Sequence, residues 1–206
     1  RVRAALEALG EGCPPSLPTG LGPLTAGCGR WEASAARAVG ERTEALARSA
    51  WSPIAGAARH VDPGVRALAL QVVGALGGDD ATSVLVRGLD DPDRDVRLAA
   101  LDAIAASPDP GRFGEPVAGR LQDDEEWSIR MRAAEVLGML GRSSPTVVAA
   151  LVAALDDDPY AYVRAAAARG LDPVSGEAAR RALRTAADAD PEPAVRRAAG
   201  DRLAGR

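Results

Sequence analysis

The sequence predicts an all-α protein, a right-handed α-solenoid (superhelix) in which antiparallel helix pairs stack on one another. Two observations support this prediction. The dipeptide Val-Arg, or Ile-Arg, recurs every 31 to 34 residues, with its arginine at positions 66, 97, 130, 164 and 196. Each dipeptide also follows an acidic turn and begins the same apolar pattern. Self-similarity at this period is the signature of a repeat protein.

The stretch that starts at each dipeptide predicts an amphipathic helix. Counting from the first residue of the dipeptide, apolar residues fall at offsets 0, 4, 5, 7, 8 and often 11, as in residues 65–76 and 129–140. This spacing places them on one helical face. Gly77 and Gly141 follow the last apolar residue, where a left-handed glycine commonly ends a helix. We therefore expect one helix to begin at each dipeptide.

A second apolar stretch precedes each acidic turn and predicts the first helix of each pair. These stretches span residues 53–59, 82–89, 114–121, 145–155 and 176–187. Ser52-Pro53 and Ser144-Pro145 predict a capping hydroxyl followed by a proline at the first helical position. Aspartate in the turns is expected to cap the second helices. Five repeats are expected at about 51–78, 79–107, 108–142, 143–172 and 173–206.

The first fifty residues are less regular. Residues 1–10 resemble the second half of a repeat, and residues 11–30 are expected to form a loop because they are rich in proline and glycine. Residues 31–50 are expected to form a long helix or a helix pair that packs on the first complete repeat. Cys13 and Cys28 lie in the loop without metal-ligand spacing. A disulfide between them and two free thiols are both open, and free thiols are favoured.

The repeated run of Asp-Pro followed by Val-Arg-x-x-Ala-Ala-x-x-Leu-Gly resembles the HEAT repeat. More narrowly, it resembles the short bacterial form called the phycobilisome-lyase HEAT-like repeat. Five copies, within residues 51–203, carry this resemblance, whereas the signatures of ankyrin and tetratricopeptide repeats are absent. The resemblance implies that the second helices line a concave face. It also implies that each repeated arginine pairs with a turn aspartate of the same or the next repeat.

The resemblance thus implies a structural ladder of ion pairs. Its members would be Arg66, Arg97, Arg130, Arg164 and Arg196 with Asp91, Asp124, Asp158 and Asp190. His60 stands where the first repeat should have its aspartate, so we expect the ladder to weaken there. A phosphate-binding stripe is the alternative reading of the five arginines. Exposed ion pairs contribute only ~0–1 kcal/mol each, so the ladder is expected to set the stacking register more than the stability.

Composition and motifs argue against several functions. The net charge is −4, and all 25 basic residues are arginine. A bias of this kind indicates a GC-rich bacterial genome. No stretch approaches the ~20 apolar residues of a membrane span, so a cytoplasmic protein without membrane association is expected. His60 is the one histidine, and no nucleotide-binding or nucleophile motif occurs. We therefore expect no catalytic residue, no metal and no cofactor, and infer that the chain is not an enzyme.

The aromatic residues of the turns are the best functional candidates. Trp127, Tyr160 and Tyr162 lie in or beside the turns of consecutive repeats, where the core needs no large side chain. Aromatic anchors dominate the binding energy of protein interfaces, although packing over the adjacent turn explains these residues equally well. The predicted surface for a protein partner comprises Trp127, Tyr160, Tyr162, Arg94, Arg132 and Glu135.

These features favour a scaffold or adaptor that presents a concave helical surface to another protein. The alternative is nucleic-acid binding, since some HEAT-like proteins resemble alkylpurine DNA glycosylases. Acidic turns and the absence of lysine argue against nucleic acid as a partner. Chromophore-lyase activity, which the phycobilisome-lyase resemblance implies, is the least favoured of the three. The identity of the partner and the oligomeric state are not predicted.

Overall fold

The computed structural model describes residues 51–140 and 144–205. The chain divides into two units, residues 1–51 and residues 52–206, and the helices described below belong to the second. The expectations for residues 1–50, including those for Cys13 and Cys28, lie outside the described residues. The same holds for Gly141.

The described part of the chain is helical and contains no strand, so the all-α prediction is confirmed. Residues 51–57 are helical. The α-helices that follow are α1 (Pro63–Leu76), α2 (Asp79–Leu89), α3 (Arg94–Ala105), α4 (Gly114–Asp123), α5 (Trp127–Met139), α6 (Pro145–Asp157), α7 (Ala161–Gly170), α8 (Glu177–Ala189) and α9 (Pro193–Leu203). Two short 3-10 helices, Pro110–Phe113 and Pro173–Ser175, precede α4 and α8.

These helices pack in two rows. The first helices of the pairs are α2, α4, α6 and α8, and each packs against the second helix that follows it. The second helices α1, α3, α5, α7 and α9 contact one another in order, and they do so more extensively than the first helices. The core between the rows consists mainly of leucine, valine, isoleucine and alanine, and its largest fully buried side chain is Phe113. One continuous apolar layer therefore holds the pairs together.

Small residues allow the second helices to approach closely. A Cβ atom added to Gly138 on α5 would lie 2.8 Å from the Cα atom of Gly170 on α7. Such a distance is shorter than a van der Waals contact, so no larger residue fits without displacing one helix. The glycine pair fixes the spacing between α5 and α7.

Local signals define several helix ends. Asp62 caps α1 by accepting the N–H of Gly64 at 2.7 Å, and the Oγ atom of Ser144 accepts the N–H of Val147 at 3.2 Å at the start of α6. Gly77 ends α1 with a φ of 66°, a left-handed conformation that glycine adopts without steric cost. The predicted cap at Ser52 is wrong: residues 51 and 52 are already helical. Pro53 therefore lies inside this helical segment, where its fixed φ is compatible with a helical backbone.

Candidate functional site

A ladder of charged side chains joins each repeat to the next. The Nε and Nη2 atoms of an arginine donate to the two carboxylate oxygens of an aspartate 25 to 28 residues later, at 2.7 to 3.3 Å. The pairs are Arg66–Asp91, Arg97–Asp124, Arg130–Asp158 and Arg164–Asp190. Each aspartate belongs to the following repeat, so each rung crosses the boundary between neighbouring helix pairs.

The third nitrogen of each ladder arginine holds the turn of its own repeat. In Arg97, Nη1 donates to the main-chain oxygens of Asp91 at 3.0 Å and Pro92 at 3.3 Å. The other four ladder arginines make equivalent bonds to the residues six and five positions earlier. Two edges of a paired guanidinium are therefore occupied, which leaves the four paired arginines little capacity to bind an external phosphate.

The two ends of the ladder differ from its middle. His60 replaces the aspartate of the first repeat, and its Nδ1 atom accepts the N–H of Asp62 at 3.1 Å, as the aspartate carboxylates do for the residue two positions later. Arg66 bonds to the main-chain oxygen of His60 and takes its carboxylate from Asp91, so the rung of Arg66 itself is complete. A rung ending at position 60 would need an arginine from residues 1–50, so the expected weakening there lies outside the described residues. At the other end, Arg196 pairs with no carboxylate within the described residues.

Burial and charge stabilise the rungs. The Arg97–Asp124 pair is the most buried, with 8% of the arginine side chain and 2% of the aspartate side chain exposed. The hydrogen bond to Asp124 raises the pKa of Arg97 despite the opposing effect of burial. Burial alone would raise the pKa values of Asp91 and Asp190, but hydrogen bonds from the paired arginine and from a main-chain N–H outweigh it and lower both. Across the described residues, no buried side-chain nitrogen or oxygen lacks a hydrogen bond.

Trp127, Tyr160 and Tyr162 form what we call the aromatic cluster. The ring centroids of Trp127 and Tyr160 lie 5.8 Å apart with an interplanar angle of 19°, and those of Trp127 and Tyr162 lie 5.7 Å apart at 31°. Trp127 is half-buried, whereas Tyr160 is 46% exposed and Tyr162 is 68% exposed. The Cζ atom of Arg130 lies 5.7 Å from the centroid of the Tyr160 ring, within the range of a cation–π interaction. The cluster is thus internally packed and still open to solvent.

The repeat geometry brings these three rings together. Trp127 is the first residue of α5, while Tyr160 immediately precedes α7 and Tyr162 is its second residue. Since α5 and α7 are neighbours, the starts of the two helices lie side by side. Asp158 fixes the relative position of the starts, because its carboxylate binds both Arg130 and the N–H of Tyr160. The aromatic cluster is therefore built on a ladder rung.

The three charged residues predicted beside the cluster make ion pairs of their own. Arg94 donates to the Oγ atom of Ser128, next to Trp127, at 3.0 Å and to Asp95 at 2.7 Å. Arg132 donates to Asp102 on α3 at 2.8 Å and to Glu135 at 3.0 Å. Arg94 thus lies near the cluster in space, through Ser128. Arg132 joins α5 to α3, and Glu135 bonds to Arg132 within α5. Among the described residues, no hydrogen bond or cation–π contact joins these three side chains to the aromatic rings.

A groove that was not predicted from the sequence lies between α7 and α9. Its volume is about 470 Å³, and its lining residues are Arg169, Ala194, Arg197, Ala198, Asp201 and Arg202. A signal was present in the sequence. The sixth residue after the valine or isoleucine of each dipeptide is Asp102 in α3 and Glu135 in α5, but Arg169 in α7. The charge at this position is thus reversed in α7, whereas α9 again carries an aspartate, Asp201.

Neither a metal-binding group nor a membrane-spanning helix occurs in the part of the chain that the structure describes. Residues 51–140 and 144–205 contain no group of three histidine, cysteine or acidic side chains arranged to hold a metal ion. In the same ranges, no helix is both long enough and apolar enough to cross a bilayer.

Comparisons with known proteins agree with this architecture. The sequence profile of the family described as HEAT repeats matches three overlapping windows, residues 30–105, 50–132 and 90–172. A chain from the complex of CpcE and CpcF of phycocyanin lyase from Nostoc sp. PCC7120 is similar in structure, with a TM-score of 0.58 and 23% sequence identity. The match covers 77% of this chain and 99% of that chain. No curated protein sequence matches significantly.

Proposed function

This chain belongs to the HEAT-repeat family, and on that premise we propose that it is a scaffold or adaptor module that binds another protein through the aromatic cluster. The single observation that carries the proposal is the exposure of two tyrosine rings, one stacked and one tilted, that pack on a half-buried tryptophan. The division of residues 51–206 into five repeats, with the bounds given above, is part of the same proposal.

The physical properties of the cluster suit an interface. Aromatic side chains bring a large apolar area and few rotatable bonds, so their ordering upon binding costs little entropy. Here the rings already pack on one another, and Arg130 lies over the face of Tyr160. A preorganised group of this kind is typical of the residues that dominate binding energy. Packing over the turn alone would not require Tyr162 to remain 68% exposed.

The position of the cluster supports a concave binding surface. All three rings lie at the starts of second helices, and the second helices pack on one another more extensively than the first helices. A stack whose spacing is tighter on one side curves towards that side. A partner would therefore meet the cluster together with Arg94 and the ion pair of Arg132 and Glu135, which lie on the same row of helices.

Affinity capture with the Tyr160→Ser/Tyr162→Ser variant tests this proposal. A matched control is Met139→Ser/Val174→Ser, which removes two similarly exposed apolar side chains elsewhere. A partner captured by the wild type is then purified, and its Kd is measured for all three proteins. We expect the cluster variant to lose at least about tenfold in affinity, equivalent to ~1.4 kcal/mol, while the control stays within about twofold. Far-UV circular dichroism checks that all three proteins are equally folded.

The proposal fails if every captured partner binds the cluster variant as tightly as the wild type. Loss of affinity in the control variant alone would also contradict it, since the binding site would then lie elsewhere on the surface.

Two alternatives have tests of their own. Binding of DNA with a steep dependence on salt would favour a nucleic-acid function, against which the acidic turns argue. The similar structure comes from a phycocyanin lyase complex, and that likeness is the observation that favours a lyase-related role. A visible absorbance band in protein incubated with a bilin would support this role over that of a simple scaffold.

A further inference from the structure

We propose that the groove between α7 and α9, here called the arginine groove, binds carboxylates of an acidic segment of a protein partner. It begins at α7, one repeat beyond Trp127 along the stack, and shares no residue with the aromatic cluster. The inference rests on the proposed function only in taking the partner to be a protein. The affinity of the groove for anions does not depend on the cluster.

The arginines of the groove have unused donors. Arg169 and Arg197 are exposed, and neither makes a side-chain hydrogen bond or ion pair with any residue that the structure describes. The Nε atom of Arg202 donates to the main-chain oxygen of Leu171 at 2.6 Å, which leaves its two Nη groups free of described partners. Asp201 also lines the groove, but its carboxylate makes no ion pair with an arginine that the structure describes. Three positive charges therefore face one negative charge.

This imbalance sets the arginine groove apart from the rest of the second-helix face. On α3 and α5, Arg132 lies between Asp102 and Glu135 and bonds to both, so the arginine there is neutralised within the protein. In α7 and α9 the position equivalent to Arg132 is alanine, at Ala166 and Ala198. Because the acidic residue of α7 is also replaced, by Arg169, the internal ion pair is lost and the guanidinium groups stay open to an external anion.

The shape of the groove and its donors match a carboxylate. A guanidinium presents a planar pair of donors that binds carboxylate or phosphate in a bidentate manner. The small side chains Ala194 and Ala198 leave a space of about 470 Å³ between the arginines, a size suited to a few side chains. Nucleic acid is disfavoured because it requires a row of phosphate contacts, whereas the neighbouring turns of this chain are acidic.

Fluorescence anisotropy with a labelled hexaglutamate peptide at low salt tests the proposal. The groove variant is Arg169→Gln/Arg197→Gln. Its matched control is Arg181→Gln/Arg184→Gln, which makes the same change in net charge on α8, outside the groove. We expect the groove variant to bind at least about tenfold more weakly than the wild type, as loss of charge-assisted hydrogen bonds predicts. The control should remain within about twofold, because Arg181 and Arg184 do not line the groove and cannot donate to a carboxylate bound there.

Three outcomes would overturn the proposal. They are no binding of the peptide to the wild type, an equal loss in both variants, and tighter groove-dependent binding of an oligothymidylate of the same charge. The Tyr160→Ser/Tyr162→Ser variant separates this result from the proposed function, because it should bind hexaglutamate as the wild type does. If instead the aromatic cluster proves irrelevant to partner capture, the peptide measurement still decides whether the arginine groove binds carboxylates.

Discussion

Replacement of Asp124 by alanine should lower the free energy of unfolding by about 3–5 kcal/mol, the range for breaking a buried ion pair from one side. The carboxylate of Asp124 accepts two hydrogen bonds from Arg97, at 2.8 and 3.0 Å, and one from the N–H of Glu126 at 3.0 Å. Its loss leaves the guanidinium of Arg97, whose side chain is only 8% exposed, without a counter-ion. That guanidinium would keep only its bonds to two main-chain oxygens.

The measurement is urea-induced unfolding followed by far-UV circular dichroism, for the wild type, for Asp124→Ala and for a double-mutant cycle. The singles are Asp124→Leu and Arg97→Met, and the double variant carries both. Both charges are absent from the double variant, so we expect its free energy of unfolding to lie within about 1–2 kcal/mol of the wild-type value. The loss of stability in the double variant should then be much smaller than the sum of the two single losses. Arg196→Ala, which removes an arginine that has no carboxylate partner among the described residues, should cost at most about 1 kcal/mol.

The reasoning would be refuted if the two single losses simply add in the double variant. A cost below about 1 kcal/mol for Asp124→Ala would refute it as well, since such a value is typical of an exposed pair and would contradict the burial of this rung.

Two further predictions concern packing and pH. Gly138→Ala should destabilise the fold by about 1–3 kcal/mol because its Cβ atom would overlap Gly170. Gly119→Ala, with open space around it, should stabilise the fold by about 0.5–1 kcal/mol. Urea midpoints of the two variants that move in the same direction would contradict this prediction. The lowered pKa values of Asp91 and Asp190 mean that both carboxylates stabilise the fold above their unfolded pKa of about 3.9. Their contribution should persist from neutral pH down to about pH 4 and disappear below it as they become protonated in the folded state. Unfolding measured between about pH 6 and 2 tests this, and the loss at acidic pH should be smaller in Asp91→Asn/Asp190→Asn.

The fold was predictable because the period, the apolar stripe and the turn residues all indicate the same helix pairs. The direction of the rungs was not predictable from spacing. An arginine such as Arg130 has one aspartate six residues before it and another in the next repeat, and the sequence pattern favours neither. The structure uses both, since Arg130 bonds to the main-chain oxygen of Asp124 and to the carboxylate of Asp158. At His60 the main-chain role is kept without the carboxylate, because its main-chain oxygen accepts a hydrogen bond from Arg66.

The two candidate surfaces were unequally visible in the sequence. Large side chains such as Trp127 and Tyr162 stand out in turns of small and acidic residues, so the aromatic cluster could be anticipated from residue type and repeat position alone. The arginine groove depends instead on which charges find a partner. The arginine at position 169, where Asp102 and Glu135 stand in other repeats, is visible in the sequence, but its lack of a described partner is not. Arg132, by contrast, is paired with Asp102 and Glu135. Pairing of this kind is a property of three-dimensional neighbours.

The staggered rungs make the repeats interchangeable building units. Within the described residues, the arginine of one unit pairs with the aspartate of the next, so the rung has the same chemistry at each of these junctions. Excision of one whole unit in frame would bring Arg66 opposite Asp124 in place of Asp91, with the same set of donors and acceptors. Duplication or loss of a unit in evolution would therefore change the length of the protein without requiring a new type of rung. Exposed rings or unpaired arginines could be gained on one unit and leave the others unaltered.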